Sequence, residues 1–531
     1  MTRCIALVVF AFAVLRAADA QPDIAFTDVT DQVGLAQPLE RWRVAHAAAW
    51  GDADGDGRPD LYLGAFADRP LYSSRNAPIP NPLFLNGLGG FVLSPQLSVR
   101  LAGRHARTTM ALFVDLDNDG DLDLFAGNNV QNRRDCESAL FENLGAGRFR
   151  EVTSNPPPWP AGWSVRNASA LDFNSDGLLD LILTDGSYAR QDRGTGRLLV
   201  LENRGQWRFE EVSARYGLPA GGTAGLGMAV GDVNNDGVFD IFVANDNRLF
   251  VSRPDGRYAA CPSDLFPARR GEALPCGAAF GDLNGDDRLD LVLTIHAEPG
   301  EFYVYLNKGV RDGMPELAEV TRGRFPRKSP ITGLPVKAAQ VSLADMDNDG
   351  RRDIFIAVTW RSDNGAVQPL ILRNEGNTPE GVPRFRIPLL ERCLGYYAPA
   401  PVADYDRDGR QDIFLPSWFD ELPNCLFRNT TDGGHWLTVR VRGRGPGLNS
   451  MGIGAIVRVY RAGKAGEPEH LLGRHDISVG NGFSSGEEAL AHFGLGQEKE
   501  CDVLIEWQGQ RRVVSHAEAD QFLTVDVPAA E

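Results

Sequence analysis

The stretch Asp115-Leu-Asp117-Asn-Asp119-Gly-Asp-Leu-Asp123, running straight into Leu124-Phe-Ala-Gly127, decides the fold. Its oxygen-bearing side chains at positions 1, 3, 5 and 9 can converge only if the backbone curls tightly around a centre. The glycine at position 6 supplies the positive φ for that curl. With a carbonyl from position 7, such a loop offers the hard, oxygen-rich shell that calcium prefers. The apolar run after position 9 reads as a strand that the last aspartate opens.

The pattern occurs seven times. Working outward, the copies are Asp52-Ala-Asp54-Gly-Asp56-Gly-Arg-Pro-Asp60 and Asp172-Phe-Asn174-Ser-Asp176-Gly-Leu-Leu-Asp180. Next come Asp232-Val-Asn234-Asn-Asp236-Gly-Val-Phe-Asp240 and Asp282-Leu-Asn284-Gly-Asp286-Asp-Arg-Leu-Asp290. Asp345-Met-Asp347-Asn-Asp349-Gly-Arg-Arg-Asp353 and Asp404-Tyr-Asp406-Arg-Asp408-Gly-Arg-Gln-Asp412 complete the set. Turn-rich composition alone does not fix aspartate at positions 1, 5 and 9 in every copy. In the fifth copy Asp287 replaces the glycine, which at a left-handed position costs about 1 kcal/mol and predicts the weakest site.

These are not EF-hands, which place a bidentate Glu at position 12 between helices. Position 12 is Leu63, Ala126, Leu183, Val243, Leu293, Ile356 and Leu415, all inside apolar strands. The first aspartates lie 50 to 63 residues apart, the length of a four-stranded propeller blade. After each loop come a Leu-Phe-x-Asn strand, a glycine turn and a Phe-x-x-Val strand, as in Leu140-Phe-Glu-Asn143 and Phe149-Arg-Glu-Val152. The last copy has Leu426-Phe-Arg-Asn429 without an outer strand, and Phe26-Thr-Asp-Val29 supplies one. The expectation is an all-β chain: a seven-bladed β-propeller over 21–430, closed by the N-terminal strand, then a small antiparallel β-domain over 431–531.

Composition bounds the rest. The 531 residues exceed one ordinary domain, and 43% hydrophobic with 24% charged residues is globular. Fifty-eight glycines and 33 prolines fit many turns between short strands. A net charge of −17 excludes an electrostatic nucleic-acid binder. Up to seven structural Ca²⁺ would bring that charge to −3, so the acidity reads as ligand rather than surface. Residues 1–20 have the form of a signal peptide, with Arg3, an apolar Cys4–Leu15 run and Ala18-Asp19-Ala20. No later run reaches membrane-span length, and the mature chain is expected outside the cytoplasm. In that oxidising setting, Cys261–Cys276 and Cys393–Cys425 are the local candidates for disulfides among fifteen connectivities.

The tail alternates in Trp436-Leu-Thr-Val-Arg-Val, Ala455-Ile-Val-Arg-Val-Tyr460 and Val503-Leu-Ile-Glu-Trp507. The loops resemble FG-GAP/VCBS repeats, the calcium blades also found in integrin α-chain propellers. The tail resembles the ASPIC/UnbV domain through Asn449-Ser-Met-Gly-Ile-Gly-Ala455, Val479-Gly-Asn-Gly-Phe483, His492-Phe-Gly-Leu-Gly496 and Ile505-Glu-Trp507. Together they resemble the family of cartilage acidic protein and its bacterial relatives. That resemblance implies a secreted, calcium-binding, adhesion-type protein and names no reaction.

Two features invite other functions. Gly482-Phe-Ser484-Ser-Gly486 matches a nucleophile elbow, with Asp502 and His516 following in order. The elbow needs a parallel α/β sheet, which a β-module lacks, so a turn is the expected role; His492, with no partner at ligand spacing, reads as a turn or core residue. Trp42, Trp50, Trp163, Trp360 and Trp418 could stack on sugars or pack in the core. The sequons Asn167-Ala-Ser169 and Asn429-Thr-Thr431 matter only in a glycosylating host. The expected function is a non-enzymatic scaffold for an extracellular protein or polysaccharide, with no catalytic residue assigned. A calcium-dependent lectin or polysaccharide-active enzyme, or a purely structural role, remains the alternative.

Overall fold

The computed structural model describes residues 24–39, 45–65, 81–94, 107–129, 137–154, 157–160, 162–185, 197–219, 225–262, 265–266, 274–296, 301–324, 338–358, 370–388, 399–417, 423–444 and 447–528. Residues 1–20, Cys136, Cys393, Trp42, Trp360 and Trp418 lie outside these. The described chain is almost entirely β, with one four-residue α-helix at Ala36–Leu39.

Each aspartate-rich loop motif joins the first two strands of a sheet. In the second sheet, Thr108–Val114, Asp123–Asn128, Ala139–Asn143 and Phe149–Glu151 pair antiparallel in chain order. The same four-strand meander recurs from Ala45, Val165, Gly225, Leu274 and Ala338. The seventh sheet takes three strands from Val402–Ala403, Asp412–Leu415 and Cys425–Asn429. Its fourth is Phe26–Asp28, with Phe26 opposite Asn429 and Asp28 opposite Phe427.

The first strand of each complete sheet packs in the interior, and small residues such as Ala45-His-Ala-Ala-Ala let it approach its neighbours. Buried clusters run from sheet to sheet in cyclic order. Phe113 meets Ala47 and Ala49, and Tyr303 meets Phe242; Ile354 joins Val304, and Val402 joins Met346. Phe414 and Tyr405 of the seventh sheet close on Trp50 and Phe91 of the first. The arrangement is propeller-like, and the sequence pattern made it legible.

Beyond Asn429, His435–Gly443 lies between Ala491–Gly496 and Gln521–Val527, antiparallel to the first and parallel to the second. A second sheet holds Leu471–Asp476, Ile456–Arg461, Glu500–Trp507 and Gln510–Glu518. This module is therefore mixed rather than purely antiparallel, a correction forced by the crossover that returns the last strand beside the first.

A segment of this module, residues 479–488, threads among the first strands of the ring. Ser485–Gly486 pairs parallel with Ala48–Ala49. Ser169 Oγ donates to the Val479 carbonyl at 2.6 Å, and Asn167 Nδ2 to the Gly480 carbonyl at 3.1 Å. Met228 N donates to the Gly482 carbonyl at 3.1 Å, while Gly482 N faces the Met228 and Ala278 carbonyls at 2.9 Å each. Gln340 accepts from Phe483 N, and Ser342 Oγ donates to Glu487 at 2.7 Å. Gly227 is required here: a Cβ would stand 2.1 Å from the Cys276 and Gly482 carbonyls.

Several sequence expectations change. Cys261 lies against Met314 and Cys276 against Leu226, Ala339 and Phe483, so the two thiols sit in different clusters and are not bonded. Trp50 and Trp163 are core residues, 1% and 7% exposed, and offer no face to a sugar. Both sequon asparagines, Asn167 and Asn429, are fully buried.

Candidate metal centres

All seven loops share one hydrogen-bond scheme. The position-1 aspartate accepts the position-6 amide through Oδ2 at 2.7–3.0 Å. The position-5 aspartate accepts the position-7 amide through Oδ1 at 2.8–3.1 Å. Position 6 is left-handed throughout, with φ from 63° at Asp287 to 101° at Gly120. Position 4 is left-handed too, from 53° at Asn348 to 79° at Gly55, a feature the glycine pattern alone did not reveal. Gly, Asn and Ser at six of these seven positions were the available signal.

The position-9 aspartate has a structural role of its own. Asp60, Asp123, Asp180, Asp240, Asp290, Asp353 and Asp412 are each at most 1% exposed. One carboxylate oxygen accepts the position-2 amide at 2.8–3.1 Å. The other accepts an amide at the end of the third strand at 2.7–2.9 Å. This aspartate thus bolts the loop to the sheet behind it. That third-strand residue is the asparagine of the Leu-Phe-x-Asn pattern, or Ser252 in the fourth sheet.

The same asparagines stitch neighbouring sheets. Asn143 Nδ2 donates to the Ala53 carbonyl at 2.8 Å, and Asn203 to Leu116 at 2.6 Å. Asn307 reaches Val233, Asn374 reaches Leu283 and Asn429 reaches Met346, at 2.7–2.8 Å. Each joins one sheet to the metal loop of the sheet before it.

Carboxylate oxygens of positions 1, 3 and 9 come within 4.8 Å of one another in four loops: Asp52/Asp54/Asp60, Asp115/Asp117/Asp123, Asp345/Asp347/Asp353 and Asp404/Asp406/Asp412. Asn174, Asn234 and Asn284 take position 3 in the other three loops, each donating its Nδ2 to the position-5 aspartate at 2.8–3.0 Å. Asp52 Oδ1, Asp117 Oδ1, Asn284 Oδ1, Asp347 Oδ1 and Asp406 Oδ1 are buried acceptors without a hydrogen-bond donor. Buried oxygens left in this state are costly, and a hard cation satisfies them.

Burial pushes Asp60, Asp123 and Asp180 up to about 8, with neighbouring loop carboxylates adding to it against the opposing amides. Burial likewise raises Asp232 and Asp404 to about 7, and Asp117 and Asp172 to about 6. A divalent ion would restore the ionised form.

The loops differ in the charge beside them. In the second and third sheets, the residue before the stitching asparagine is acidic, Glu142 and Glu202; in the sixth and seventh it is Arg373 and Arg428. Arg373 pairs with Asp347, and Arg428 lies 2.7 Å from Asp406 and 2.8 Å from Asp408. Arg288, Arg351 and Arg410 at position 7 pair with the position-5 aspartates of their own loops.

The elbow-like residues form no catalytic chain. Ser484 is fully buried among the ring strands. Asp502 accepts the backbone amides of His516 and Ala465 at 3.0 and 3.1 Å, and the His516 ring turns to Glu500 at 3.2 Å. His492 lies 2.9 Å from both Thr438 Oγ1 and Asn348 Oδ1; burial, helped by Arg352, lowers it to about 3, so the ring is neutral.

Four stretches of the chain match the FG-GAP-like repeat family, over residues 115–183, 172–243, 282–356 and 345–415. Residues 445–531 match the ASPIC and UnbV family. The chain is 27% identical over 392 residues to "Cartilage acidic protein 1" of Homo sapiens, covering 69% of this chain and 54% of that protein. It is 25% identical over 448 residues to the Xenopus tropicalis protein of the same name, covering 78% and 64%. The chain thus spans less than two thirds of the curated relatives it matches. A solved chain titled "Crystal structure of BBS1N in complex with ARL6DN, soaked with lead" overlaps 77% of this chain and 97% of its own, at 11% identity and a TM-score of 0.40.

Proposed function

We propose, for a chain that belongs to the cartilage acidic protein-like family, with FG-GAP-like repeats followed by an ASPIC and UnbV domain, that it is a secreted, calcium-binding, non-enzymatic scaffold. In this reading residues 21–430 form a seven-bladed propeller, residues 431–531 a separate β-domain, and up to seven Ca²⁺ brace the blades. The 28 side chains at positions 1, 3, 5 and 9 are its ligands. The supporting observation is the set of buried, donorless oxygens that converge in loops repeated from sheet to sheet. The extracellular, adhesion-like character is supported by the FG-GAP match and by the cartilage acidic protein relatives. No described helix is long and apolar enough to cross a membrane.

At ~1 mM calcium and a Kd near ~10⁻⁴ M, each filled site stabilises the fold by about 1.4 kcal/mol. Several such sites match the whole stability of a typical domain, so the metal acts first on the fold. The ligand is an extracellular protein or polysaccharide.

The test is a calcium titration of chelator-stripped protein by calorimetry, with melting followed in parallel. Binding of several equivalents with a rising melting temperature is the expected result. No divalent-cation binding and an unchanged melt would overturn the reading.

A further inference from the structure

We infer that the tips of the metal loops form the docking surface for the C-terminal module, and that the cation in each loop sets the geometry of that surface. This rests on the calcium reading above and goes beyond it by assigning a role to position 4, which is not a ligand.

In four loops the position-4 side chain meets the C-terminal module. Asn118 Oδ1 accepts the Ser450 amide at 2.8 Å. Asn235 Oδ1 accepts from Arg474, and Asn348 Oδ1 lies 2.9 Å from His492 Nε2. Arg407 pairs with Glu488 at 2.6 and 3.0 Å. In the fifth loop position 4 is Gly285, and Asp287 takes over: its carboxylate receives Arg458 Nε at 2.7 Å and its carbonyl receives Arg474 at 2.8 Å.

The contacts extend from the tips to the ligands. Ser450 Oγ donates to Asp115, a position-1 aspartate. The Asp232 amide donates to Asp476 at 2.9 Å, and its carbonyl receives Arg474 at 3.0 Å. Arg474 is fully buried at this junction and fixed by Asp476 at 2.8 Å. Gly434 N donates to the Asp347 carbonyl at 3.0 Å, and the Trp436 indole lies against Gly409.

A cation holds the ligands of each loop together and so fixes where the tip points. Without it, nothing gathers the converging oxygens, and the tip is no longer held against its partner. Five loops that contact one module make this dependence cooperative. When the tips move, the 479–488 segment loses the platform that holds it among the ring strands.

The test uses the full mature chain and hydrogen–deuterium exchange, read at the amides of residues 479–486. In the triple variant Asn118→Gly, Asn235→Gly, Asn348→Gly, glycine keeps the left-handed tip, as Gly55 and Gly285 already do, and no residue at positions 1, 3, 5 or 9 is substituted. In saturating calcium the variant is expected to exchange this segment at least tenfold faster than wild type, with unchanged calcium stoichiometry. Wild type stripped with EGTA is expected to do the same while residues 181–183 stay protected. Undiminished protection of 479–486 in the variant overturns the inference; so does undiminished protection in stripped protein whose sites calorimetry shows to be empty. If stripping melts the whole ring, the variant in calcium decides alone. A protein that binds no calcium defeats the calcium reading and this inference together, and calorimetry distinguishes that case.

Discussion

Asn86 Nδ2 donates to the main-chain carbonyl of Tyr405 at 2.8 Å, across 319 residues of chain. It joins the first sheet to the seventh metal loop and repeats at the seam the stitch that links the other sheets.

Asn86→Ala removes that bond and leaves the Tyr405 carbonyl without its donor. A loss of about 1–3 kcal/mol is expected, the cost of a buried unpaired acceptor. Urea unfolding of the variant checks it. A change below 0.5 kcal/mol would mean the seam is held by the Phe26–Asp28 strand and the Trp50 cluster alone.

Asp287 separates strain from pairing. Asp287→Gly relieves the left-handed backbone but deletes the Arg458 pair, whose acid is 37% exposed. These effects are each about 1 kcal/mol or less and opposed, so its melting temperature should stay near that of wild type. Asp287→Ala keeps the strain and loses the pair, and should melt lower. Equal melting of the two variants would show that the backbone conformation carries no cost here.

Stripped of calcium, the protein should lose stability as pH rises. The folded-state values near 8 of Asp60, Asp123 and Asp180 lie above their unfolded values, so the folded state keeps protons that the unfolded state releases. Stability then falls between about pH 4 and pH 8, and calcium should oppose that fall by displacing the protons. Melting curves at pH 5, 6, 7 and 8, with and without calcium, read the slope. A stripped protein that grows more stable over this range would contradict the assignment.

Arg428→Met removes a guanidinium that pairs with Asp406 and Asp408 and would compete there with the proposed cation. Calcium affinity at the seventh loop should rise several-fold, since a unit charge a few ångströms from a divalent ion is worth about 1 kcal/mol or more even in a watery setting. Calorimetry on wild type and variant compares the site affinities, of which only the seventh loop's should change. Unchanged affinity would mean the arginine swings aside at no cost.

The repeats and the all-β fold class were legible because they depend on neighbours within a dozen residues. Asp123 announces its loop by spacing alone. Its second bond, to the Asn143 amide, follows from a hairpin and was within reach of the Leu-Phe-x-Asn pattern. The stitches from asparagine to the preceding loop span about 70 to 90 residues, and no local pattern encodes them. The Gly482-Phe-Ser484-Ser-Gly486 stretch was expected to be a turn, and its passage among the ring strands was out of reach for the same reason. Its small residues serve close passage among strands hundreds of residues away, which motif spacing cannot distinguish from a catalytic turn. Asp287 read as a defect because its partner, Arg458, lies 171 residues further on.

The pairing of Phe26–Asp28 with Cys425–Asn429 also orders events during synthesis. The Phe26–Asp28 strand must wait, edge unpaired, until nearly four hundred further residues have been made. Residues 479–488 emerge later still. The middle sheets can therefore form as they appear, but sealing waits for residues 425–429. A transcript truncated anywhere before residue 425 would yield a chain with two open β-edges, a form that quality-control proteases and chaperones can recognise.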